Sequence, residues 1–291
     1  MEDLVNTKIT LITVPYDAGH LNERMGAGPL HLANNGLIEK LNASGYTVEH
    51  KQLHLHKPFP TEVASTFKLL NQISAEVNES ITGHSFPIVL SGNCIATVGA
   101  LAGVNEPNCG VIWFDAHGDC ETPETTQSGF LDGMALSILT GSCWQNMLAS
   151  VDDYSPIHGN RIMLVGARDL SNDERRFIQA NKINQVPVEQ IFDVEREALK
   201  LACTQLSANG VQKLHVHIDA DVLDPSVAPA NSFAVNNGLS KQGLIKILKY
   251  TLKRLPVLSL TVASYDPSYD VDNRMLEAII EIIEMILQQM L

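Results

Sequence analysis

The sequence predicts an α/β protein of three layers, α/β/α, with a mostly parallel central sheet. Two observations carry that reading. Short aliphatic runs recur along the chain, separated by segments long enough for helices, and parallel neighbours need such crossovers, which then cover both faces of the sheet. The residues that carry chemistry stand just after those runs, at the carboxyl ends of strands where open parallel sheets bind their ligands.

Strands are predicted, in chain order, over 8–14, 47–52, 87–91, 110–114, 161–165, 213–218 and 257–264. Helices are predicted over 60–81, 173–181, 193–207, 240–252 and 273–291, with Ser240 as an N-cap. The last helix carries Ile279, Ile280, Ile282, Ile283, Met285, Ile286 and Leu287. It reads as a packed closing helix, with an oligomer contact as the alternative. Gly26, Gly28 and Pro29 read as fixing an early loop.

At 291 residues the chain suits one large domain, 1–291. Hydrophobic residues at 45% against 18% charged describe a globular chain, and 5% aromatics leave aliphatic side chains to build the core. A net charge of −13 argues against nucleic-acid or anionic-membrane partners and suits a cation-attracting protein with a small-molecule substrate. Met1-Glu2-Asp3 lacks the order of a secretory leader and no apolar stretch is long enough to span a bilayer, so the expected location is cytoplasmic. The five cysteines are odd in number and form no CxxC pair, so free thiols are expected.

Two acidic clusters dominate the chemistry: Asp115-Ala-His117-Gly-Asp119 and Asp219-Ala-Asp221, each ending an apolar run. If the chain stays extended, alternate side chains project together, placing Asp115, His117 and Asp119 on one side and Asp219 with Asp221 likewise. Five ligands then converge, as two divalent cations held roughly 3.5–4 Å apart by bridging carboxylates require. Without cations, acids this dense repel one another; the plainer alternative is strand ends satisfied by loop amides and water.

The wider pattern points further. Arg24-Met25-Gly26-Ala27-Gly28-Pro29 and Gly36-Leu37 come first; Trp113-Phe114-Asp115-Ala116-His117-Gly118-Asp119, Thr122-Pro123-Glu124-Thr125, Ser128-Gly129 and Gly133-Met134 follow; His217-Ile218-Asp219-Ala220-Asp221-Val222-Leu223-Asp224-Pro225 and Pro229 close the series. In that order they resemble the arginase–agmatinase, or ureohydrolase, superfamily over nearly the whole chain. The resemblance implies an arginase-like fold, trimeric or hexameric assembly, and hydrolysis of a guanidino or related amidine carbon by two manganese ions and a bridging hydroxide. By position, Asp115 and Asp219 would bridge the metals, His117 and Asp221 would complete one site, and Asp119 would serve the other. Asp224 would support the loop.

Several positions depart from the family pattern. Ser91-Gly92-Asn93-Cys94 replaces a family metal-ligating histidine with Cys94. As a thiolate it would draw the metal preference from manganese toward zinc or iron; as a buried thiol it would simply pack. Asp132 stands where the family has a proton-shuttling histidine, and reads either as a replacement proton carrier or as a capping acid. Ser264 replaces a glutamate that pairs with the guanidinium, and Phe130 a polar residue of the substrate loop; Glu121 and Ser128 complete the substrate-facing set. His217 reads as a strand residue at the rim rather than a ligand, and His215, His50, His54 and His56 as packing or surface residues. Arg168-Asp169 reads as organising the rim through an ion pair. The expected function is a divergent metal-dependent carbon–nitrogen hydrolase. The alternative is a catalytically silent arginase-fold protein that binds a ligand or a protein partner.

Overall fold

The computed structural model describes residues 7–56, 61–191 and 197–290. Met1-Glu2-Asp3, Pro60, the first residues of the helix expected over 193–207, and Leu291 lie outside them. Eight strands form one sheet: β1 (Lys8–Val14), β2 (Thr47–Gln52), β3 (Ser85–Ser91), β4 (Cys109–Phe114), β5 (Ile162–Val165), β6 (Asn184–Val186), β7 (Lys213–Asp219) and β8 (Val257–Ala263). Their order is β2-β1-β3-β8-β7-β4-β5-β6, and every pairing is parallel.

The longer helices are α1 (Glu62–Thr82), α2 (Ala96–Val104), α3 (Asn172–Ala180), α4 (Glu197–Ala208), α5 (Lys241–Leu252) and α6 (Arg274–Gln288). They sort into two apolar layers because alternate strand residues face opposite ways. Ile9, Leu11, Ile112 and Phe114 join α4, α5 and α6 on one side; Ile12, Val14, Val111 and Trp113 join α1 and α2 on the other. Strands covered on both faces lose the polar alternation of a half-exposed sheet, which is why they read as unbroken apolar runs. Thr61, Ser171 and Ser240 each accept a backbone N–H as N-caps, Ser171 within a full capping box with Glu174. Ile279, Ile282, Ile283 and Ile286 of α6 are buried against the sheet.

Strand β6 and helix α2 were not anticipated. The first is three residues, Asn-Gln-Val, on a sheet edge. The second is buried at every position, so it shows no amphipathic period. Gly28 and Pro29, expected in a loop, open a short helix over Gly28–Leu32 with proline in its first turn. All five cysteines are free and buried. Among the described residues no helix is long and apolar enough to cross a membrane.

Chain order explains where the site falls. The chain lays down β1, β2 and β3, jumps to β4, β5 and β6, and only then fills the gap between β3 and β4 with β7 and β8. The reversal opens a crevice at the carboxyl ends of β3, β8, β7 and β4. Phe114 pairs with Ile218, so Asp115 and Asp219, each one residue further, lie side by side.

Helix α2 approaches this crevice only because it packs closely on α1. A Cβ on Gly103 would lie 2.3 Å from the Ser74 carbonyl oxygen, and one on Gly99 2.6 Å from that of Leu70. Gly103→Ala is therefore expected to cost about 1–3 kcal/mol through forced separation of the two helices, read as a lowered urea midpoint; an unchanged midpoint would contradict this packing.

Candidate metal centre

The acidic residues do not reach the site by strand alternation. β4 stops at Phe114 and β7 at Asp219; Asp119 takes φ +49°, and Ala220–Val222 is a 3-10 turn. They converge because backbone amides fold each loop onto its own carboxylates. His117 N–H donates to Asp115 Oδ1 at 2.7 Å, Asp221 N–H to Asp219 Oδ1 at 2.7 Å and Ala116 N–H to Asp221 Oδ1 at 3.3 Å. Trp113 Nε1 donates to Asp115 Oδ2 at 3.0 Å from below. His117 Nδ1 lies 3.4 Å from both Asp115 Oδ1 and Asp221 Oδ2.

Donor atoms of Asp115, His117 and Asp221 all lie within 4.8 Å of one another, and so do those of Cys94, Asp115 and His217, with Asp115 common to both groups. Above them is a cavity of about 440 Å³ lined by Cys94, His117, Asp119, Asp132, Asp219, Asp221 and Ser264, and also by Glu121, Ser128 and Phe130. Asp115 is buried beneath it. Phe130 stacks on Phe233 with ring centroids 5.9 Å apart. Every site residue expected from the sequence thus reaches one place.

Electrostatics there are unbalanced. Burial, and then the neighbouring aspartates, push Asp119 and Asp219 well above the usual carboxylate range, and burial followed by Asp115 raises Asp221. His117 relieves part of the repulsion. Burial alone would lower its pKa, but Asp115 and Asp221 outweigh it and hold it up at about 9; against its own burial Asp115 is in turn kept low by His117. Asp119 Oδ2 is buried without a hydrogen-bond partner. Crowded acids with one imidazole and an orphaned oxygen are a donor set matched to divalent cations.

Cys94 is 2% exposed. Its Sγ lies 2.9 Å from Asp219 Oδ2, to which it donates, and 3.2 Å from Ser264 Oγ. Burial and then Asp219 push the thiol well above its ordinary pKa. Asp132 meets the backbone entering α2: it accepts from Cys94 N at 3.0 Å, Ile95 N at 2.8 Å and Asn93 Nδ2 at 3.1 Å. Burial raises it to about 7 despite those three donors. It therefore holds a helix start while lining the cavity. Ser264 takes φ +63° just past β8, and Asn231 ties it in, donating to the Ser264 carbonyl at 2.7 Å and to Asp221 Oδ2 at 3.5 Å.

Two expectations change. Arg168 makes no ion pair among the described residues; its guanidinium donates to the carbonyls of Gly166, Asp221, Val222, Val235 and Asn236, knitting together the loops after β5 and β7. His217, set aside as a rim residue, is fully buried and contributes a donor atom beside Cys94 and Asp115. One signal for it was available, its position two residues before Asp219. Asn231 had none. His215 packs as expected, Nδ1 lying 2.7 Å from Ser259 Oγ, and Asp224 orders its loop by accepting from Ser226 and Gly238.

Removing the acceptor at 132 strands the N–H groups of Cys94 and Ile95. Asp132→Ala is expected to cost about 2–4 kcal/mol in a urea titration, and Asp132→Asn, which keeps one acceptor oxygen but turns an NH2 toward the other amide, about 1–3 kcal/mol. Equal stability of the alanine variant and the parent would contradict the capping role.

The metal-free protein should lose stability as pH rises. Carboxyls with raised folded pKa values favour the folded state while protonated; that contribution is complete below about pH 4 and fades as pH climbs through the folded values, about 7 for Asp132. His117 adds a loss of the same sign, complete above its folded value of about 9. Thermal unfolding midpoints should therefore fall between about pH 6.5 and 9 without metal, above the range in which the buried His215 and His217, lowered to about 3, add an opposing gain, and hold level with saturating divalent cation. A metal-free midpoint that rises over this range would overturn the electrostatic account.

The chain's relatives point the same way. The arginase family model matches residues 7–288. The arginase of Bacillus subtilis strain 168 is 29% identical, over 96% of this chain and 97% of its own, and that of Bacillus caldovelox 30% identical, over 80% and 82%. A crystal structure of Bacillus subtilis arginase superposes with a TM-score of 0.87 at 28% identity, covering 97% of this chain and 98% of the other. With the family model spanning residues 7–288 and an eight-stranded parallel sheet in a fold that superposes on a solved arginase, the chain belongs to the arginase family.

Proposed function

We propose that the protein is a metal-dependent hydrolase of a carbon–nitrogen bond in a guanidino or amidino small molecule, assembled as a homo-oligomer. The observation that carries this is the cluster of buried aspartates left unneutralised around one imidazole, with Asp119 Oδ2 unpartnered beside a cavity. Asp115 and Asp219 would bridge two divalent cations, His117 and Asp221 would hold the oxygen-rich site, for which manganese is the first choice, and Asp119 with Cys94 the other. Such cations, when bound, bring the pKa of solvent toward neutrality and so supply a nucleophile strong enough for a delocalised carbon.

The chain's own groups support a cationic substrate. The charged lining residues beyond the ligands are Asp132, Glu121, Asp169 and Glu174, with no lysine or arginine among the described lining. A substrate carboxylate would meet only like charge, whereas a cation is drawn in. Phe130 and Phe233 offer an apolar face to the rest of the molecule. Ser264 supplies a hydroxyl and no bidentate anchor, so orientation falls to Glu121 and Ser128. Asp132, poised at about 7, suits the transfer of a proton to the leaving nitrogen.

Urea, ammonia and amine release from the metal-loaded protein across a panel of guanidines and amidines tests this reading. We expect kcat/KM for decarboxylated guanidines such as agmatine to exceed that for arginine by about tenfold or more, equivalent to about 1.4 kcal/mol. Glu121→Gln should narrow the gap. Tight binding of these ligands with full metal occupancy but no turnover would instead place the protein with the silent, ligand-binding alternative.

A further inference from the structure

We propose that Cys94, Asp115 and His217 form a sulfur, oxygen and nitrogen site selective for a zinc-type cation, so that the two metal positions of this protein take different metals. The inference rests on the acidic cluster being a cation site, and adds His217 to it.

Three observations bear on it. Donor atoms of the three residues lie within 4.8 Å of one another, whereas tetrahedral coordination at roughly 2.0–2.3 Å requires ligands roughly 3.3–3.8 Å apart; small side-chain rotations close that difference. His217 Nε2 is fully buried with no hydrogen-bond partner. His215 Nε2 is buried and bare as well, so a bare nitrogen alone does not mark a ligand; at His217 it counts because Cys94 and Asp115 stand within 4.8 Å, and leaving it unsatisfied costs about 1–3 kcal/mol. Finally, the surroundings fix the ring as they do in metal sites, where the second nitrogen is held by a neighbour. Nδ1 lies 2.8 Å from Thr97 Oγ1, and the imidazole stacks on Trp113 at 3.8 Å, the indole that also positions Asp115.

Selectivity follows from the donors. A thiolate, a neutral imidazole and a carboxylate are the borderline-soft set that zinc prefers, and Asp219 Oδ2, 2.9 Å from Cys94 Sγ, and Asp119, whose Oδ2 is unpartnered, stand ready to fill the remaining positions. On loading, the Sγ–H bond to Asp219 is lost, the proton leaves to solvent, and sulfur and carboxylate both turn to the cation. The neighbouring group of Asp115, His117 and Asp221 has no sulfur and favours a harder ion.

The test loads the metal-free full-length protein with cobalt(II), with elemental analysis for stoichiometry. A thiolate-to-cobalt charge-transfer band is expected in the near ultraviolet, abolished by zinc and unaffected by manganese. Cys94→Ser should remove the band, and His217→Ala should weaken cobalt binding at that site by about 100-fold or more. Because the histidine variant can misfold, zinc X-ray absorption on the wild-type protein provides a second measurement, expected to show one sulfur at about 2.3 Å together with imidazole scattering. Cobalt bound without the band, or zinc with oxygen-only neighbours, overturns this inference even where guanidine turnover is observed. The band without turnover sustains the inference and removes the hydrolase reading. No cation bound at all overturns both.

Discussion

Repulsion among buried carboxylates is the constraint on which the rest of this structure depends. Asp115, Asp119, Asp219 and Asp221 are nearly or wholly out of solvent, and at the low effective dielectric of such a site several negative charges a few ångströms apart cost far more than at a surface. The fold offsets part of that cost through directed donors: the amides of Ala116, His117 and Asp221, the Trp113 indole and the His117 ring. It does not offset all of it. What is left over is a standing affinity for positive charge, so a cation held at this candidate site would couple its binding to folding through the same carboxylates.

The same constraint explains the strand order. Loops with opposing charges could meet anywhere, but loops of like charge must be forced together, and the force comes from the sheet. β4 and β7 are hydrogen-bonded neighbours in the centre of eight strands, locked by the register of Trp113 on His217 and Phe114 on Ile218. β4 is apolar on both faces between two helical layers, and β7 on one, through Leu214, Val216 and Ile218, with the buried His215 and His217 on the other. Burial of that aliphatic core is the large favourable term, and the electrostatic strain at its rim is a small withdrawal from it.

Much of this was legible in the sequence because buried parallel strands advertise themselves as apolar runs and because the acidic motifs follow them directly. The exceptions have physical causes. β6 is short and polar because it is an edge, and α2 is hidden because a helix buried all round has no face to read. At the site, residue identities were readable but the geometry was not: alternation anticipated convergence, whereas Asp119 and Asp221 arrive through a left-handed residue and a 3-10 turn. His217 stands two residues before Asp219, a spacing that puts both on one side of the strand, but its full burial and unpartnered nitrogen are facts of packing that this spacing does not encode. Asn231, which joins Asp221 to Ser264, sits in an irregular loop with no pattern around it.

The departures from the family pattern look scattered along the chain, at 94, 132 and 264, yet they form one connected patch. The Asp132 carboxylate accepts the Cys94 amide, and the Cys94 sulfur meets the Ser264 hydroxyl at 3.2 Å. A thiol is smaller than an imidazole and reaches less far, and a serine at 264 leaves room where a glutamate would bring another negative charge against Asp219. An acid at 132 is in turn suited to holding the amides that place Cys94. Each residue thus makes the next tolerable, and groups in mutual contact are expected to act on stability and metal affinity as a set rather than additively. Returning one position alone to its family residue would set an imidazole or a glutamate into a space shaped for something smaller. The patch is better understood as one altered half of the candidate metal centre than as three separate losses.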